Sequence, residues 1–70
     1  MEFVVCIDNK DYAASLEVRK IYQVLPDSLA NGHQMIRVID ESGEDYLYPS
    51  RYFMLIELSD SLQKALASSN

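Results

Sequence analysis

The sequence predicts an all-β domain, five short strands in a small barrel with a short helix at the C-terminal end. Three observations lead there. Extended runs rich in β-branched and aromatic residues recur along the chain, each cut short by a cluster of turn formers. Glu41-Ser42-Gly43-Glu44 is a hairpin signal, with Gly43 to supply the positive φ of a tight turn and strand-like residues on both sides. After Ser59 the spacing changes, and Leu62 and Leu66 stand four apart, as on one face of a helix. Seventy residues make a single domain, with the barrel over residues 1–58 and the helix and a frayed tail over 59–70.

The elements follow in order. Glu2 to Ile7 is a first strand around Val4 and Val5, and Asp8-Asn9-Lys10-Asp11 is a polar turn cluster. From Ala13 an extended segment resumes, with apolar residues at 14, 16 and 18. Its alternation breaks at Arg19-Lys20 and restarts as Ile21-Tyr22-Gln23-Val24-Leu25, the mark of a bulge or a loop-to-strand transition. Pro26 ends that strand because it has no amide to give a ladder. Asp27 to Gly32 is one helical turn, capped by Asp27 or Ser28 and ended by Gly32. Gln34 to Asp40 is apolar on nearly both faces, as in a strand deep inside a barrel. Asp45-Tyr46-Leu47-Tyr48 returns from the hairpin and Pro49 stops it. Ser50-Arg51-Tyr52 is a tight turn, and Phe53 to Leu58 is the last strand. Asp60 with Gln63 has the spacing of a capping box, and the helix frays over Ser68-Ser69-Asn70.

The inventory narrows the function classes. Six Lys and Arg against 11 Asp and Glu leave a net charge of −5 with His33 neutral, which opposes general binding of nucleic acid. Apolar types form 49% of the chain, a globular composition. Cys6 is the only cysteine, so there is neither an internal disulfide nor a cysteine-built zinc site. Its place in Phe3-Val4-Val5-Cys6-Ile7 is that of a small buried hydrophobe. The apolar run before Asp8 is only five residues, Phe3 to Ile7, too short for a signal peptide or a membrane span, so a cytoplasmic protein without membrane contact is expected. His33 stands in a turn, and the glycines at 32 and 43 form no phosphate loop. The expectation is a protein with no catalytic residues, no metal and no cofactor.

The segment Leu47-Tyr48-Pro49-Ser50-Arg51-Tyr52-Phe53 resembles the closing signature of SH3 domains, an apolar pair, Pro-Ser, then Tyr and an apolar residue. Over most of the chain, and chiefly over Arg37-Val38-Ile39-Asp40-Glu41-Ser42-Gly43-Glu44-Asp45-Tyr46-Leu47-Tyr48-Pro49, the sequence also resembles a group of short, uncharacterised bacterial proteins with that block. The resemblance implies an SH3-like barrel in which Asp8 to Lys20 stands at the RT loop and Pro26 to His33 at the n-Src loop. It matches Pro49 and Tyr52 to the proline and tyrosine of the polyproline groove, and Asp8 and Asp11 to its acidic loop positions. The groove's tryptophan has no counterpart, since the chain contains no Trp. The resemblance therefore carries the fold and not the ligand class.

Two readings compete for Tyr46, Tyr48, Tyr52 and Phe53. In one they are packing, with Tyr48 and Phe53 filling the barrel and the other hydroxyls turned outward. In the other they form an exposed patch beside Glu44 and Asp45, suited to a basic peptide through cation–π and charge contacts. Alternation sets Tyr46 and Tyr48 on one face and Leu47 on the other, and Tyr52 is the expected exposed contact. The acids at 40, 41, 44 and 45 read either as a solvated turn or as part of that patch. The leading expectation is a non-catalytic protein-interaction module whose partner is a protein or peptide, bound through Tyr46, Tyr48, Pro49, Tyr52, Glu44, Asp45, Asp8 and Asp11. The alternatives are a nucleic-acid-binding barrel using Arg19, Lys20, Arg37 and Arg51, and a structural subunit that forms a homo-oligomer.

Overall fold

Turn chemistry sets the strand boundaries in the computed structural model, which describes residues 2–68. The strands are β1 (Glu2–Cys6), β2 (Ile21–Leu25), β3 (Met35–Ile39), β4 (Asp45–Pro49) and β5 (Phe53–Ile56). A one-turn helix α1 (Ser28–Gly32) separates β2 from β3, a 3-10 turn (Ser50–Tyr52) separates β4 from β5, and α2 (Asp60–Ser68) follows. All neighbouring strands are antiparallel in one sheet ordered β4-β3-β2-β1-β5. The two end strands, β4 and β5, are not paired with each other, so the sheet is not a closed barrel.

Local signals act where the sequence places them. Gly43 has φ +84°, its amide donates to the Asp40 carbonyl at 3.0 Å, and the Asp40 amide donates to the Glu44 carbonyl at 3.0 Å to close the hairpin. Of the two candidate caps of α1, Asp27 is the one used: its carboxylate accepts the Ala30 amide at 3.0 Å. Gly32 is the last helical residue, but the left-handed step that redirects the chain falls at Gln34, φ +58°. At α2 the cap is Ser59 rather than Asp60. The Ser59 hydroxyl accepts the Leu62 amide at 3.2 Å, and Gln63 donates its side-chain amide to the Leu58 carbonyl at 2.9 Å. The fraying expected at Ser69 and Asn70 lies outside the described residues.

The segment from Ala13 to Val18 is not a strand. The Ser15 and Leu16 amides both donate to the Tyr12 carbonyl at 2.9 Å, which curls the chain into a turn and drops Leu16 into the core at 1% exposure. Ala14 stays exposed, so the apparent alternation reflects single anchors in a loop. The phase break at Arg19 is real. Arg19 has φ +72°, its amide reaches the Cys6 carbonyl at 2.7 Å, and the Cys6 amide donates to the Lys20 carbonyl at 2.9 Å. These bonds close the base of the 8–20 excursion.

Pleating divides the sheet into two faces. Val4, Cys6, Tyr22, Val38, Tyr48 and Phe53 share one face and form the buried core with Leu16 and Tyr52 from the connections. Phe3 lies on the opposite face at 4% exposure, and Leu66 and Ala67 of α2 share a cavity wall with Phe3, Ile21 and Ile39 there. Because Leu16 holds the long loop onto the first face, Leu16→Ala is expected to destabilise the domain by about 2–5 kcal/mol. Leu55, 66% exposed, is the control: Leu55→Ala is expected to stay within about 0.5 kcal/mol. Urea unfolding of both variants measures the contrast, and equal midpoints would show that Leu16 is no anchor.

Candidate functional site

A groove of about 380 Å³ runs between the 8–20 loop and the β3–β4 hairpin, and Tyr12, Ser15, Ser42, Glu44, Tyr46 and Tyr48 are among its walls. Each wall is held by a bond to another element. Tyr12 is fixed by its amide to the Asn9 carbonyl at 2.8 Å, and the loop is clamped by the Asn9 side-chain amide on the Leu16 carbonyl at 3.0 Å. The Tyr12 ring stands edge-on to Tyr48, centroids 5.0 Å apart, and to Tyr52 at 5.9 Å. Loop and hairpin are joined directly, since the Glu41 amide donates to the Ser15 carbonyl at 3.0 Å.

The floor of the groove is a buried carboxylate. Asp40 is 6% exposed and has no cation beside it among the described residues, yet none of its buried oxygens lacks a partner. Oδ1 accepts the Ser42 amide at 2.9 Å and the Ser42 hydroxyl at 2.6 Å, and Oδ2 accepts the Tyr48 hydroxyl. Burial works against its charge, but the bonds from Ser42 and Tyr48 outweigh it and hold the carboxyl below the usual 3.8. Burial first, and then the Asp40 bond, push the Tyr48 hydroxyl up to about 12. Tyr48 therefore keeps its proton and stays a donor throughout the physiological range.

Beside it, Glu41 accepts from Lys20 Nζ at 2.8 Å and from the Tyr22 hydroxyl at 2.6 Å, and the Tyr22 oxygen accepts the Glu17 amide at 2.7 Å. Lys20 and then Tyr22 lower the Glu41 carboxyl, while burial followed by the Glu41 bond raises the Tyr22 hydroxyl. Of the crowded acids, then, 40 and 41 are structural groups.

The structure assembles part of the expected surface. Tyr46, 51% exposed, and Glu44 stand at the groove with Tyr48 beneath them. Tyr52 is the correction: it is 4% exposed, its ring packs in the core and its hydroxyl donates to the Lys10 carbonyl at 3.0 Å. The 3-10 turn after Pro49 rotates it inward, leaving Arg51 outside over the face of its ring, 5.1 Å from the centroid. Asp45 belongs to the opposite face of the sheet, where Arg37 bonds it at 2.9 Å and Asp27 at 2.9 Å. Pro49 is half-buried at the end of β4 and does not line the groove; Asp8 and Asp11 are exposed on the loop, also outside it. Asp8 accepts the Lys10 amide at 3.0 Å and Asp11 takes φ +72°, so both serve the turn.

Tyr12 is the residue that the sequence reading passed over, and its signal was an aromatic isolated in an otherwise polar stretch. Of the cations considered for nucleic acid, Lys20 and Arg37 are held by carboxylates of the chain itself and Arg51 lies on Tyr52. Among the described residues no group of three side chains is placed to hold a metal ion, and no helix is long and apolar enough to cross a membrane.

Tyr48→Phe tests the floor. Removing the hydroxyl is expected to raise the Asp40 carboxyl toward or above 3.8, read from its carboxyl carbon by NMR titration. Asp40 has a folded-state pKa below its unfolded value, so its contribution is present above 3.8 and lost as pH falls through the folded value. The variant is therefore expected to begin acid unfolding at a higher pH than wild type. An unmoved Asp40 titration would mean that Ser42 alone sets its charge.

Comparison with known proteins returns no match: no family model, no curated protein and no solved structure is significantly similar to the chain, and its function is read from its own geometry.

Proposed function

We propose that the protein is a non-catalytic interaction module on an SH3-like small barrel, which binds a basic peptide or protein segment in the groove between Tyr12 and Tyr46. The strand order β4-β3-β2-β1-β5, the long excursion between β1 and β2, the hairpin between β3 and β4 and the 3-10 turn before β5 support the SH3-like reading.

One observation carries the ligand class: an exposed tyrosine and a half-buried one flank a groove whose rim acid, Glu44, pairs with no cation among the described residues. A Lys or Arg side chain laid across Tyr46 gains the face of the ring, worth about 0.5–1 kcal/mol at an exposed site, and meets Glu44 at the rim. The net charge of −5 steers a cationic segment toward the protein and turns an anionic one away. The groove is shallow and its carboxylate floor is already occupied by Ser42 and Tyr48, which leaves Glu44 at the rim as the acid open to a cationic ligand.

Titration with arginine- and lysine-bearing peptides of mixed sequence, with acidic counterparts as controls, tests this by NMR. The amides of Tyr12, Glu44 and Tyr46 are expected to shift with the basic peptides only. Tyr46→Ser is expected to weaken binding about two- to fivefold, and affinity to fall as salt rises. Shifts that are absent, or that fall on the opposite face of the sheet, would remove the groove as the binding surface. Binding of RNA or DNA at low salt without any peptide response would favour the nucleic-acid alternative.

A further inference from the structure

Strand β2 pairs with β1 from Ile21 to Val24, but with β3 only at Val24–Val38 and Leu25–Arg37. The same register carried further sets Gln23 opposite Ile39 and Ile21 opposite Glu41, and neither pair forms. The two strands part because the Glu41 amide, which the ladder would aim at Ile21, donates instead to the Ser15 carbonyl at 3.0 Å. Alternation along β2 decides which groups are left over. The Cys6 amide donates to the Lys20 carbonyl at 2.9 Å, so Lys20 and Tyr22 turn their backbone groups toward β1 and Ile21 and Gln23 turn theirs toward β3. The amide and carbonyl of Ile21 and the amide of Gln23 therefore face the gap.

A cavity of about 500 Å³, within the range of small-molecule sites, opens where the strands part. Phe3, Ile21, Ile39, Leu66 and Ala67 give it apolar walls, the last two from α2. Both ends of the gap are tied. The ladder closes one at Val24, and at the other Glu41 accepts from Lys20 Nζ at 2.8 Å and from the Tyr22 hydroxyl at 2.6 Å. Strands tied in this way do not spread to admit a third strand, but they leave room for a small molecule. The charged side chains that line the cavity are already matched, Lys20 to Glu41 and Asp40 to the donors of Ser42 and Tyr48. A charged ligand would find no counter-ion there.

We propose that this cavity binds a small neutral molecule carrying peptide-type amides on an apolar body. Its N–H and C=O take the place of the Glu41 backbone opposite Ile21, and its apolar group lies against Phe3, Ile39 and Leu66. The class follows from what the gap lacks. Ile21 offers one donor and one acceptor at the spacing of a single residue, and a molecule with both an amide N–H and a carbonyl satisfies the two together. Only Asp40 lines both this cavity and the groove of Tyr12 and Tyr46, so the proposal does not rest on that groove.

NMR titration of the whole protein with N-acetylleucine methylamide, to about 20 mM because so small a ligand binds in the millimolar range, tests it. The amides of Ile21, Gln23, Ile39 and Leu66 are expected to shift and saturate, while those of Glu44 and Tyr46 stay in place. Three analogues are each expected to bind at least about fivefold more weakly: anionic N-acetylleucine, cationic leucine methylamide, and N-acetylglycine methylamide, which lacks the apolar group. Ala67→Trp, with its fold checked by circular dichroism, is expected to fill the cavity from α2 and weaken binding at least about fivefold. Should that variant fail to fold, the analogues decide alone. Any analogue that binds as tightly as the parent overturns the proposal. So do shifts that are absent or that fall on Glu44 and Tyr46, and binding indifferent to a folded Ala67→Trp.

Discussion

Asp40 is a carboxylate buried beside the groove with no cation against it among the described residues, and the surrounding structure is organised by its need for hydrogen-bond donors. An ionised group out of water is costly unless donors surround it. Ser42 supplies two donors because Gly43, at φ +84°, lets the chain reverse immediately after it. Tyr48 supplies the third because alternation along β4 turns it inward while Tyr46, two residues earlier, emerges near the hairpin tip. A single carboxylate thus ties the turn, the return strand and the floor of the groove. The next residue, Glu41, extends the same device to Lys20 and Tyr22 and binds the 8–20 loop through its backbone amide.

That loop is the other half of the site, and it has no regular structure of its own to hold it. Leu16 anchors it by burial, Asn9 clamps it internally, and Tyr52 and Tyr22 reach it with hydroxyls from the body of the sheet. Tyrosine suits this work because its ring fills the core while its hydroxyl satisfies a backbone group at the margin. Tyr22 and Tyr52 are spent in this way and Tyr48 on the Asp40 carboxylate, which leaves Tyr46 and the partly buried Tyr12 at the groove.

The two faces of the sheet carry separate duties. The first face with the loop makes the core and the groove, while the second, covered in part by α2, holds Phe3 and the Arg37 pairs to Asp27 and Asp45. The acid run of the hairpin is divided between them. Glu44 stays at the groove, whereas Asp45 is directed to Arg37 by the one-residue change of face. Acids adjacent in sequence therefore do not form one charged patch.

Signals confined to a few neighbouring residues were legible in the chain: a cap at Asp27 or Ser28, the Gly43 hairpin, the stops at Pro26 and Pro49 and the turn after Pro49. Each follows from a local property, a short polar acceptor, a permissive φ or a missing amide. What the tertiary structure decided depends on distant partners. Tyr52 turns inward to meet Lys10 across 42 positions, and Tyr22 meets Glu41 across 19. Tyr12 gains its place only when Tyr48 and Tyr52 are packed against it, and the 13–18 segment curls because Leu16 finds a core that other strands build. The sequence by itself determined an all-β chain with five strands, a tight hairpin and a terminal helix, since backbone preferences act locally. Which tyrosines face solvent, and where the groove lies, required the sheet to assemble, because burial is a property of the whole fold.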